Sequence, residues 1–264
     1  MTLEASPLRV NAFVMPKAGC SARECEDSVG VNPRGMKFCV ADGATEAFDS
    51  RRWARLLTKS WVRSSRPVIS QEDFAAWLPV AGDRLESQWE SRQLSWYAEE
   101  KSRSGAFAAF AGLTFEMFEG ELRWAAAVLG DACLFRRRES GHLKDAIPDL
   151  SGGGFERRPT LIPSKRALQA RALDEMQFRT GTAEPGDVFL LLTDSIAAWY
   201  LNMRESDPAR ADDLEMRASL PCQTRLTNLL DEERQRATLR NDDIAIIRIA
   251  YGSDGGSGGN GNRA

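Results

Sequence analysis

Only one histidine, His142, occurs in the 264 residues, and no Cys-x-x-Cys pair exists among Cys20, Cys25, Cys39, Cys133 and Cys222. A multi-histidine or thiolate zinc site therefore lacks its ligands. The odd cysteine count argues against a disulfide framework, and Cys39 and Cys133 lie in apolar runs where a thiol serves as a small hydrophobe. There is no Gly-x-Ser-x-Gly elbow, so a Ser-His-Asp triad would have to be built around His142, in the polar stretch after Arg136-Arg137-Arg138. No apolar run approaches the ~20 residues that span a bilayer. The first ten residues, MTLEASPLRV, carry Glu4 and lack the apolar core of a signal peptide. Excess charge is missing too: 35 Lys and Arg stand against 38 Asp and Glu, a net of −3, which disfavours a nucleic-acid protein held by bulk electrostatics. These absences predict a soluble cytoplasmic protein that engages neither nucleic acid nor membrane.

What is present is an ordinary globular composition, 42% hydrophobic and 28% charged, in a chain long enough for a substantial core. MKFCVA at 36–41 reads as a strand ending at Asp42-Gly43. Trp53, Leu56, Leu57 and Trp61 then recur at amphipathic-helix spacing. Ser70 and Asp73 form a capping-box pattern that opens a second helical region, with Phe74, Trp77 and Leu78 on its first apolar face. Pro79 and Gly82 are expected to interrupt it before the pattern resumes through Leu85 and Trp89 toward Trp96, and the tryptophans read as core. Residues 105–138 read as successive antiparallel strands turning at Glu119-Gly120 and Gly130-Asp131. The polar stretch from Glu139 to Ser164 is a functional loop or padding around one short element. Lys165 to Phe178 reads as helical or irregular. VFLLLT is a buried strand ending at Asp194, Gln223–Arg236 a helix with Leu226, Leu229 and Leu230 inward, and IAIIRIA the last strand. The expectation is one α+β domain over 1–252, followed by a disordered Gly/Ser/Asn-rich tail at 253–264.

Aspartates stand at the ends of these apolar runs. Asp42 closes one, Asp131 lies in a tight turn, Asp194 closes a third and Asp242 precedes a fourth, while Glu26-Asp27 precede the first by about ten residues. Each has a plain explanation as turn chemistry, a helix cap or solvated loop charge. Carboxylates gathered into one cleft would instead repel one another unless they protonate or share cations, and hard divalent ions with oxygen ligands answer that need.

Five segments in this order, ECEDSVG, CVADGATEAF, VLGDACLF, GDVFLLLTDSIAAW and NDDIAIIRI, resemble the metal-dependent protein phosphatases of type 2C, the PPM family, and in particular its bacterial members. The likeness runs from about residue 10 to 250. It implies a four-layer α/β/β/α sandwich with two central, mainly antiparallel sheets. It implies Mg²⁺ or Mn²⁺ as cofactor, two ions with a third weaker site, and hydrolysis of phosphomonoesters by a water or hydroxide bridging the two ions. Carried over by position, Asp42 would bridge both metals, Asp194 and Asp242 would complete the first site, and Glu26 with the Gly43 carbonyl would serve the second. Asp27 would hold a metal-bound water, and Asp131 with Asp194 would match the third site. The implied partners are a phosphorylated protein substrate and a counteracting protein kinase, with the enzyme monomeric.

The chain departs from the family pattern at several positions. The family's phosphate-binding arginine falls at Ala22; Arg23, one residue on, would bind phosphate if a bulge allows it, and Lys17 or another basic residue is the alternative. Ala44 stands where many members carry a histidine proton donor, Ser195 where glycine is usual after the aspartate, and Asp243 where asparagine is common. Arg157 and Arg158, in the Gly-rich stretch that matches a variable flap, are either a substrate-recruiting pair or solvated loop charge. The functional expectation is a serine/threonine phosphoprotein phosphatase. A catalytically inactive, metal-binding pseudophosphatase and a hydrolase of small phosphomonoesters are the alternatives.

Overall fold

Phe38 and Val40 turn to one side of their strand, Cys39 and Ala41 to the other, and all four are fully buried. A strand apolar at every position must be covered on both faces, and the architecture follows from that requirement. In the computed structural model, residues 7–91, 96–138, 141–148 and 159–252 are described. In chain order they form β1 (Leu8–Met15), β2 (Asp27–Asn32), β3 (Lys37–Gly43), α1 (Ser50–Arg63), α2 (Gln71–Glu90), α3 (Trp96–Ser104), β4 (Phe107–Phe118), β5 (Glu121–Leu129) and β6 (Cys133–Arg137). There follow β7 (Leu143–Ile147), β8 (Ile162–Pro163), α4 (Gln169–Glu175), β9 (Gln177–Ala183), β10 (Val188–Leu192), α5 (Asp194–Ser206), α6 (Pro208–Ala218), α7 (Thr224–Gln235) and β11 (Ile244–Tyr251).

Two antiparallel sheets result. One runs β1-β11-β10-β6-β7; the other runs β2-β3-β4-β5-β9, with β8 paired to β4. Their facing surfaces enclose Phe38, Val40, Leu113, Phe115, Phe189 and Ile247. The outer face of the second sheet is covered by α1 and α2 through Trp53, Leu57, Trp61, Phe74 and Leu78. That of the first is covered by α5 to α7 through Ile196, Tyr200, Leu226 and Leu230. The result is the expected four-layer α/β/β/α sandwich. Burying one such leucine contributes about 1.5–3 kcal/mol, so each covered face stabilises the sheet beneath it.

Three local expectations are corrected. First, α2 is one unbroken helix of 20 residues with Pro79 inside it. Its buried face, Phe74, Trp77, Leu78, Ala81, Leu85 and Trp89, outweighs local penalties of roughly 3 kcal/mol for proline and 1 kcal/mol for glycine. The capping box is present, with Ser70 Oγ accepting the Asp73 N–H at 3.1 Å. Second, Trp96 is not core: it is 76% exposed, unlike the buried Trp53, Trp61, Trp77 and Trp89. Third, Glu119-Gly120 is a true hairpin turn, both residues left-handed, but Gly130-Asp131 is not. It carries the chain from β5 in one sheet to β6 in the other. Gly130 has φ of 89°, and a Cβ there would lie 2.6 Å from Ala109 Cβ. Only glycine permits both the backbone angle and the close approach at this crossover. The polar 139–164 stretch contains the edge strand β7 and the two-residue β8. Arg157 and Arg158, like the 253–264 tail, lie outside the described residues.

Candidate active site

The register of β2 on β3 places Asp27 directly opposite Asp42, where two carboxylates would repel in any exposed hairpin. Here they are taken out of water: Asp27 is only 4% exposed. The Thr193 hydroxyl, at the end of β10 in the facing sheet, donates to Asp27 Oδ2 at 2.6 Å and accepts the Ala245 N–H at 2.9 Å. One side chain thus fastens β2 to the β10–β11 pair, joining the sheets at their acidic end.

Asp194 begins α5 directly after Thr193, and Asp242 precedes β11. These two aspartates are held alike. Asp194 Oδ1 accepts the following Ser195 N–H at 2.5 Å, and Asp242 Oδ1 accepts the following Asp243 N–H at 2.9 Å. Their other oxygens both face the Arg240 guanidinium, which contacts Asp194 Oδ2 and lies 2.8 Å from Asp242 Oδ2. Asp131, from the sheet-to-sheet crossover, completes the group. Its carboxyl is pushed up to about 6 by burial and then by the Asp194 charge. Burial, followed by the charges of Asp27, Asp194 and Asp131, holds Asp42 well above the usual carboxylate range. Asp27 is raised well above it, by burial first. Burial also raises Asp194, against the opposing pull of Arg240.

Glu26 lies at the rim, its Oε2 accepting the Thr45 hydroxyl at 2.7 Å. Its backbone is positioned by Asp243, a residue whose sequence suggested only an added charge. The buried Asp243 carboxylate accepts the Lys17 N–H through Oδ1 and the Glu26 N–H through Oδ2, both at 2.8 Å. Asn241 Oδ1 accepts the Ala18 N–H at 2.7 Å. The segment before β11 therefore holds the segment before β2. Gly43 closes β3, and a Cβ on it would lie 2.7 Å from the Ser50 carbonyl, so glycine lets the start of α1 pack against the acidic end. Arg23 is exposed and makes no ion pair or side-chain hydrogen bond among the described residues.

The structure thus joins Asp27, Asp42, Asp131 and Asp194 in one field of mutual repulsion, with Asp242 tied in through Arg240. Sequence reasoning missed Thr193, Arg240 and the bracing role of Asp243; only their proximity to motif aspartates marked them. As placed, no three His, Cys, Asp or Glu side chains among the described residues converge closely enough to hold an ion. The donor set is nonetheless all oxygen and rich in negative charge, which fits a hard divalent cation.

Paired antiparallel sheets between helical layers, with carboxylates gathered at one end, are the architecture that the type 2C resemblance implied. The chain belongs to the protein phosphatase 2C family, whose profile matches residues 21–241, and so to the protein-serine/threonine phosphatases. No curated protein matches the sequence. Solved structures do. The catalytic domain of the serine threonine protein phosphatase PstP in complex with two manganese ions aligns with a TM-score of 0.60 at 16% identity, over 93% of this chain and 99% of that one. Stp1 from Staphylococcus aureus, a serine/threonine phosphatase, gives 0.59 at 11% identity, over 93% and 96%. RsbX in complex with magnesium gives 0.52 at 16% identity, over 92% and 95%. At these identities the likeness establishes the fold. No helix among the described residues is long and apolar enough to cross a membrane.

Proposed function

We propose that the chain is an active, Mg²⁺- or Mn²⁺-dependent phosphatase of phosphoserine and phosphothreonine proteins, with its centre at the Asp27/Asp42/Asp131/Asp194/Asp242 cluster. The observation that carries this reading is the burial of several carboxylates against one another at the acidic end of the sandwich. Such an arrangement is costly for the protein alone and is relieved by cations. Asp42, Asp194 and Asp242 would hold one ion, Asp42 with Glu26 and the Gly43 carbonyl a second, and Asp131 with Asp194 a third, weaker one. Bound divalent ions supply the charge that screens a phosphomonoester dianion from an attacking water and acidifies that water.

The chain's own side chains contribute position. Thr193 holds one carboxylate oxygen of Asp27, so that Asp27 would orient a water in the cluster. Asp243 holds Glu26, and paired backbone N–H groups fix one oxygen each of Asp194 and Asp242. Ala44 offers no proton donor, so the leaving alkoxide would take its proton from water or from another residue, or leave without a dedicated donor. The substrate is a phosphoprotein opposed by a kinase, and the enzyme acts as a monomer.

Phosphate release from a phosphothreonine peptide with Mn²⁺ or Mg²⁺, repeated with chelator and with Asp194→Ala, tests this. Metal-dependent release that is lost in the variant supports the reading. The presence of Arg240 between Asp194 and Asp242 favours a second one, a pseudophosphatase that recognises phosphoproteins without turnover. Mn²⁺ binding by calorimetry with no phosphate released would establish it over the first.

A further inference from the structure

A groove between α1 and α2 collects positive charge of which only one residue, Arg52, has an ion-pair partner among the described residues. It is about 260 Å³ and is lined by Arg52, Arg55, Lys59, Arg63 and Arg84, with no acidic residue among its lining. Arg55, Lys59, Arg63 and Arg84 are exposed, and none of the four makes an ion pair among the described residues. Arg84 reaches only the Ser60 hydroxyl, at 3.4 Å. Arg52 alone has an acidic neighbour, Asp49 at 3.6 Å. This concentration stands in a chain whose net charge is −3.

The helix itself does not call for these cations. Its first turn contains no acidic residue and begins Ser50-Arg51-Arg52, where the helix dipole disfavours positive charge. Residues 52, 55, 59 and 63 follow one face of α1, a line about 16 Å long at 1.5 Å per residue. At roughly 3.3 Å per residue, that matches about five residues of extended polypeptide. The line has a direction. Gly43, beside Asp42, packs against Ser50, so the row begins at the acidic end of the sandwich and leads away from it. Beyond Arg63 and Arg84, which line both, a second cavity of about 580 Å³ adds Arg66 and Trp77, together with one acidic residue, Asp73. Trp77 is buried, and its indole N–H has no hydrogen-bond partner.

We propose that this groove is a docking track for the acidic or multiply phosphorylated segment flanking the scissile phosphoresidue of a protein substrate. The proposal rests on the phosphatase reading for its substrate class; the groove supplies a preference the carboxylate cluster cannot, because the cluster repels acidic flanks. A polypeptide fits better than nucleic acid. The track is short and single, and the rest of the surface, being net negative, would repel a long polyanion.

The test uses full-length protein and an Arg55→Ala/Lys59→Ala/Arg63→Ala variant, all three positions being exposed and helix-compatible with alanine. Binding of a fluorescent phosphothreonine peptide with four glutamates on one flank is followed by anisotropy with chelator present, so the readout does not need turnover. The expected result is about tenfold weaker binding in the variant, a preference over a peptide with neutral flanks that disappears, and affinity that falls with salt. In turnover assays KM for the acidic peptide rises while kcat and hydrolysis of p-nitrophenyl phosphate stay the same. Equal binding of acidic and neutral peptides by the wild type, or no change in the variant, overturns the proposal. A single-stranded oligonucleotide of equal charge displacing the peptide at equal concentration overturns the polypeptide assignment. Absent p-nitrophenyl phosphate turnover with intact acidic-peptide binding would fault the phosphatase reading and leave the track standing.

Discussion

Asp243 accepts the backbone N–H of Glu26 across 217 positions of chain, tying the rim of the acidic cluster to the strand that carries its opposite side. Removing the carboxylate leaves the Glu26 and Lys17 N–H groups without their acceptor. Asp243→Ala is expected to destabilise the fold by about 2–4 kcal/mol. Asp243→Asn, which retains one acceptor oxygen, should lose roughly half of that. Denaturant unfolding measures both, and the alanine variant should also bind Mn²⁺ more weakly because Glu26 is released.

Thr193 separates packing from hydrogen bonding. Thr193→Val keeps the volume but removes both the donor to Asp27 and the acceptor for Ala245 N–H. It should cost about 1–3 kcal/mol, whereas Thr193→Ser should unfold near the wild-type midpoint. A valine variant as stable as the wild type would show that the sheets do not need this bridge.

Arg240 behaves as the cluster's internal counter-ion. With chelator present, Arg240→Ala should melt at a lower temperature than the wild type, since Asp194 and Asp242 lose their compensating charge. With Mn²⁺ the order should narrow or reverse, because the ion no longer competes with a guanidinium. Calorimetry should show Mn²⁺ affinity rising by up to about tenfold, and the Mn²⁺-induced thermal shift should grow accordingly. Weaker binding in the variant would mean that Arg240 supports the site.

Lys37 offers a pH-dependent reading of a buried charge. Only 7% exposed, its Nζ donates to Ser64 O at 2.5 Å, Ser64 Oγ at 2.9 Å and Arg66 O at 3.0 Å, holding the chain just past the end of α1. Burial lowers its pKa from the ordinary 10.5. Between the folded value and 10.5 the unfolded chain binds more protons than the folded one, so stability rises with pH across that window. Below it, both states are charged and the burial penalty is fully present. Lys37→Met should abolish this rise in unfolding free energy. It should also cost about 1–3 kcal/mol at neutral pH through the Ser64 carbonyl, which loses its Lys37 donor, while the Arg66 carbonyl keeps the Ser64 hydroxyl.

Much of the sandwich was written locally. Trp53, Leu57 and Trp61 declare α1 by spacing, Ser70 and Asp73 declare the start of α2, and VFLLL and IAIIRIA are too apolar for anything but covered strands. Asp42, Asp131, Asp194 and Asp242 were legible because each sits where an apolar run meets a turn. What could not be read were β1, β2, β7, β9 and α6, whose partly exposed residues give weak periodicity. Nor could the crossover at Gly130-Asp131 be read, because a tight turn looks the same whether the next strand pairs in its own sheet or leaves for another. The continuity of α2 past Pro79 was decided by packing on the sheet, which no local propensity reports. The sequence alone determined which residues are apolar, which are acidic, and at what intervals. Only the tertiary structure decided that Thr193 meets Asp27, that Asp243 braces Glu26, that Arg240 stands between two aspartates, and that the basic residues of α1 and α2 share one groove. Hydrogen bonds and charges act across a few ångströms of space, and folding brings within that distance residues that the chain separates by more than two hundred positions.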